Sequence, residues 1–109
     1  MIEKLVKWAN DNKQILHEKG IDTVKIFINE NNVYIDHETS NCIGRVTMNI
    51  EGHINVEIIE IESEIKLMSA YYAFQRDFYE DFLEPYIRIL LDSTKIVQSK
   101  YHLLPIRKK

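Results

Sequence analysis

From Asp22 onward the apolar residues recur at every second position, and they do so through four short runs: Thr23–Asn29, Asn32–Glu38, Cys42–Ile50 and His53–Ile61. This feature limits the fold more than any other. The connections Glu30-Asn31, Thr39-Ser40-Asn41 and Glu51-Gly52 are too short for a crossover, so neighbouring runs must be antiparallel hairpins. A four-stranded meander follows. Alternation then sorts the side chains between its two faces. Val24, Ile26, Ile28, Val33, Ile35, Val46, Met48, Ile50, Ile54, Val56 and Ile58 share the face against which helices should pack. The other face is mixed, with Lys25, Phe27, Tyr34, Asp36, Glu38, Ile43, Arg45, Thr47, Glu57 and Ile59. Gly44 thins the inner face and marks a point where a helix can approach closely.

Before the strands, Ile2, Leu5, Val6, Ala9 and Leu16, widened by Trp8 and Ile15, repeat at the spacing of an amphipathic helix over residues 2–19. Gly20 ends it by supplying a left-handed residue just past the last apolar position. After Glu62 two readings compete. Helix formers favour a helix through residues 65–73, while the weak alternation of Ile65, Leu67, Ser69 and Tyr71 allows a fifth strand there, followed by a helix capped by Asp77 with Glu80 three positions on. Helix is the preferred expectation. Pro85 cannot sit inside a straight helix, so the helix either kinks there or restarts with Pro85 in its first turn and runs on to about Leu91. The expected architecture is α+β: an N-terminal helix, an antiparallel meander of four strands or five, and C-terminal helical segments on one sheet face. With 109 residues the chain is expected to be one domain, ending in a basic tail over about 93–109.

Composition excludes more than it identifies. One cysteine, Cys42, cannot form an internal disulfide, and the N-terminus lacks an apolar run fit for a signal peptide, so a cytoplasmic location is expected. No stretch approaches the roughly 20 apolar residues of a membrane span. A net charge of −3 argues against direct nucleic-acid binding. His17, His37, His53 and His102 show no metal-ligand spacing; His37 and His53, near strand ends, are expected to be solvated or capping. No glycine-rich phosphate loop and no local nucleophile, base and acid trio is present. Neither an enzyme nor a cofactor is expected.

Charge is sorted along the chain. Residues 57–92 hold nine acids against three bases, a net of −6, whereas the tail from Ser93 holds five bases and no acid. Within Asp77-Phe-Tyr-Glu80-Asp81-Phe-Leu-Glu84 the acids fall at i, i+3, i+4 and i+7. On a helix they form one stripe, opposite Tyr79, Phe82, Leu83, Tyr86 and Leu90. Any soluble helix turns charge to water, but a single-signed stripe also suits a basic partner, whose approach it would speed. Affinity then needs aromatic anchors, for which Phe27, Tyr34, Tyr72 and Tyr101 are candidates unless the tail covers the sheet.

Leu5 and Trp8 in the first helix, the Gly20-Ile21 exit, Ile43-Gly44-Arg45-Val46-Thr47, the Glu51-Gly52 turn, Val56-Glu57-Ile58-Ile59-Glu60 with Glu62, and a closing aromatic-aliphatic helix together resemble the TriTu family of bacterial immunity proteins. The resemblance spans roughly residues 1–91. It implies a cytosolic protein of contact-dependent growth inhibition or a related polymorphic toxin system, without activity of its own. Its partner would be the C-terminal nuclease domain of a cognate toxin, a tRNA-cleaving enzyme that works with elongation factor Tu, which would join a ternary complex. A basic nuclease surface could be covered by carboxylates placed where phosphates would lie. Asp77, Glu80, Asp81 and Glu84 are the first candidates for toxin binding; Glu57, Glu60, Asp36 and Glu38, with Tyr34 and Phe27, form the alternative on the open sheet. A small acidic secretion chaperone is the rival class. The toxin's identity and its binding surface are not specified by the sequence.

Overall fold

The computed structural model describes residues 2–73 and 82–93. The expectations for Asp77, Glu80, Asp81 and the basic tail lie outside the described residues.

The first helix, α1 (Ile2–Glu18), buries Leu5, Ala9 and Leu16. It ends as the glycine requires. Gly20 has φ +91°, its N–H donates to the His17 carbonyl (3.0 Å), and the Ile21 N–H reaches back to the Leu16 carbonyl (2.8 Å), while Leu16 and Ile21 are both buried. These two bonds and the paired apolar residues close the helix and redirect the chain into the sheet.

Five strands follow in sequential order, each antiparallel to the next: β1 (Asp22–Ile28), β2 (Asn32–Glu38), β3 (Cys42–Asn49), β4 (Ile54–Glu60) and β5 (Lys66–Tyr72). The turns are built by polar side chains. Asn29 Oδ1 accepts from the N–H groups of Asn31 and Asn32, and Asn49 Oδ1 accepts from those of Glu51 and His53. Among the described residues the closing helix runs as α-helix over 84–93, with a wider turn at 82–83. Pro85 therefore lies in the first turn of the α-helical stretch, where its missing N–H costs least.

Both helices lie on one face. Val33, Ile35, Val46, Met48, Ile54, Val56 and Ile58 are fully buried there together with Phe82, Leu83, Tyr86 and Leu90. Tyr86 fixes the spacing. A Cβ on Gly44 would stand 2.6 Å from its hydroxyl and 2.9 Å from its ring, so only a glycine lets the helix come this close.

Four expectations need correction. The preferred helix over 65–73 is instead β5, which pairs with β4 from Tyr72 opposite Ile54 to Met68 opposite Ile58. Val24 is exposed because a β-bulge between Thr23 and Lys25 takes it out of the alternation. Ile28 and Ile50 are also exposed, at the end of the sheet, where with Ile2 and Val6 of the first turns of α1 they line a shallow cavity. His37, expected to be solvated or capping, is fully buried.

Candidate functional site

The sheet has a second face, and no described element covers it. Register assigns its residues, since directly opposed positions share a face: Lys25 faces Asp36, Phe27 faces Tyr34, Asp36 faces Arg45, and Arg45 faces Glu57. At its centre Arg45 Nε and Nη2 donate to the two carboxylate oxygens of Asp36, at 2.6 and 2.9 Å. The same guanidinium lies 4.0 Å from the ring centroid of Tyr34. Tyr34 in turn stacks on Phe27, with centroids 4.9 Å apart and an interplanar angle of 20°. Lys25 Nζ lies within 6 Å of both rings, at 5.9 and 5.6 Å. The side chains are thus ordered before any partner arrives, which reduces the entropy lost on binding.

Electrostatics tighten the same group. The Asp36 carboxylate, hydrogen-bonded to Arg45, strengthens the guanidinium's hold on its proton. Beside the pair is a depression of about 220 Å³ lined by Asp36, Ile43, Arg45, Glu57 and Ile59.

The structure therefore brings together Phe27, Tyr34, Asp36, Glu38 and Glu57. Glu38 joins the face at its edge, opposite Asp22 and Ile43. Glu60 does not. It opposes Cys42, out of phase with Glu57, and instead accepts a hydrogen bond from Ser63 in the β4–β5 turn, at 2.5 Å. Glu84 lies on the closing helix, on the other side of the sheet, 3.4 Å from Arg88 one turn on. Asp77, Glu80 and Asp81 lie outside the described residues.

Nor is the open face uniformly acidic. Lys25, Arg45 and Lys66 balance Asp36, Glu38 and Glu57, and Lys66 stands 3.3 Å from Glu57. The carboxylates at its centre are already paired with cations of the same chain. Arg45 and Lys25 are the cations that a search for acids and aromatic anchors passes over, although alternation places both on this face; each stands across from an acid.

The buried histidine belongs to the scaffold. His37 Nδ1 and the Tyr86 hydroxyl share a 2.8 Å hydrogen bond, and the Trp8 ring meets the imidazole edge-on at 6.0 Å. Burial lowers the His37 pKa to about 4, which keeps it neutral near pH 7. Burial also pushes the Tyr86 phenol well above its ordinary value. Among the described residues no group of three His, Cys, Asp or Glu side chains could hold a metal ion, and no helix is long and apolar enough to cross a membrane.

A family model described as Immunity protein TriTu matches residues 3–95, and so takes in all five strands and the closing helix. No curated protein matches the chain, and no solved structure does.

Proposed function

The chain belongs to the TriTu family of immunity proteins, and from that premise we propose that it neutralises its cognate toxin by docking the open sheet face onto it. The observation that carries this reading is the preordered stack of Phe27, Tyr34 and Arg45 over Asp36. Tyrosine and arginine dominate the energetics of protein interfaces, because each brings a broad contact surface and a directional polar group. Here both are held in place by neighbours, next to a depression that an opposing side chain can enter.

The toxin in this reading is a tRNA-cleaving nuclease domain acting with elongation factor Tu, and inhibition takes place in the cytosol. Its basic surface meets Asp36 and Glu57 by sharing or exchanging their present partners Arg45 and Lys66. The acids Asp77, Glu80, Asp81 and Glu84 contribute long-range attraction more than contact energy, since exposed pairs give only ~0.2–1 kcal/mol each. Membership of an immunity family replaces the chaperone alternative.

Titration with the cognate toxin domain, by calorimetry for affinity and by stopped-flow mixing for rates, provides the test. Tyr34→Ala should weaken binding by about 2 kcal/mol, roughly 30-fold. The double change Asp77→Lys with Asp81→Lys should slow association and flatten its salt dependence while changing dissociation little. Unaltered affinity in Tyr34→Ala would remove the open face from the interface.

A further inference from the structure

The two edges of the sheet are not alike. On β1 the bulge between Thr23 and Lys25 falls at Val24, the third of its seven residues, and Lys25 adds a charge within the regular part of the edge, two devices that discourage a further strand. On β5 a bulge also falls near the start, at Leu67 opposite Ile58 and Ile59, but pairing is regular from Met68 to Tyr72 and no charge stands within that stretch. Proline is absent from β5, and Lys66, its one charged residue, stands at its first position.

Hydrogen-bond parity shows which groups this edge offers. The Ile61 N–H donates to the Asn41 carbonyl on the β3 side, whereas the Glu60 N–H donates to the Ile65 carbonyl on the β5 side, each at 2.9 Å. Antiparallel bonding alternates, so Ile54, Val56 and Ile58 bond to their partners Tyr72, Ala70 and Met68. The residues between, Ser69 and Tyr71, direct N–H and C=O away from the sheet. Both are exposed, and their side chains continue the open face past Glu57 and Asn55.

We propose that β5 accepts an extended segment of the cognate toxin as a sixth strand, so that main-chain pairing at Ser69 and Tyr71 fixes the register of a toxin whose body lies on the open face. This rests on the immunity reading above. Charge and area select the occupant. The turn leading into β5 carries the exposed acids Glu62 and Glu64, which suit a basic chain. A second copy of this chain is a poor fit, because two five-residue edges paired together cover well short of the roughly 1,200 Å² of a stable interface. A toxin strand brings the adjoining face contact with it.

The experiment compares Ser69→Pro with Ser69→Ala, using the cognate toxin domain as the probe. Both remove the hydroxyl, but only proline removes the outward N–H, and the ladder to β4 stays intact because that N–H does not contribute to it. Ser69→Pro should weaken binding about tenfold or more, with Ser69→Ala close to the native chain. Independently, hydrogen exchange at the Ser69 and Tyr71 amides of the native chain should slow when the domain is added. Equal affinity of the two variants, or unchanged exchange at both amides in a complex that forms, overturns strand addition and leaves the immunity reading in place. A toxin-independent dimer abolished by Ser69→Pro overturns it in favour of a second copy. Failure of the native chain to bind the domain removes both readings together.

Discussion

A methyl group at position 44 has no room, because the Tyr86 hydroxyl and ring would lie 2.6 to 3.0 Å from it. The obstacle is a fully buried aromatic ring hydrogen-bonded to an equally buried histidine, so neither can swing aside cheaply. Gly44→Ala should therefore lower stability by about 1–3 kcal/mol, read as a shifted urea midpoint with an unchanged slope. A native midpoint would mean that Tyr86 is held loosely. His37 gives a second residue-level prediction, with a definite sign. Its pKa falls from 6.5 in the unfolded chain to about 4 in the fold, so between those values the unfolded state binds the proton and the folded state does not. Its contribution is complete above pH 6.5 and is lost as pH falls towards 4, by on the order of 3 kcal/mol. Denaturation at a series of pH values should show this slope in the native chain and a shallower one in His37→Phe. Parallel curves would place the proton elsewhere.

Among the elements, β5 is where local preference and tertiary context disagree. Residues 65–73 contain good helix formers, and local propensity alone leans towards a helix. Pairing with β4 reverses this, since β4 buries Ile54, Val56 and Ile58 and gains a second neighbour to receive its outward N–H and C=O groups. That gain depends on a partner in space and is invisible in a window of sequence. What the period of two and the short turns did make readable were the strand boundaries, the antiparallel order and the membership of the open face, including Phe27, Tyr34, Asp36 and Glu57. Gly44 was readable too, as a thin spot in the inner face. The bulge that displaces Val24 was not, because an inserted residue leaves both flanking alternations intact. The ion pairs were not either: they depend on which residues stand opposite each other, and the β2–β3 loop sets Glu38 across from Ile43 instead of Cys42. That loop also holds the closing helix, through the Asn41 side-chain amide, which donates to the Ser93 carbonyl at 3.0 Å. Asn41→Ala should cost about 1 kcal/mol by thermal unfolding and hasten amide exchange near Ser93. Unchanged exchange there would show that the apolar contacts of Leu90 suffice.

At the scale of the whole molecule the two sides of the sheet divide the work. One side is filled by α1 and the closing helix and supplies the stability; the other is left uncovered by the described residues, with balanced charges and an ordered aromatic and guanidinium cluster. A net charge of −3 summarises this poorly, since the central carboxylates of the open face are paired within the chain. In the proposed reading, attraction towards a basic toxin and grip upon it fall to different regions. The most direct test is an amide NMR footprint of the isotope-labelled chain as the unlabelled toxin domain is added. Shifts concentrated on Phe27, Tyr34, Asp36, Arg45 and Glu57, with the outer surface of α1 unaffected, are the predicted result. A footprint confined to α1 and the closing helix, with those five residues unmoved, would contradict it.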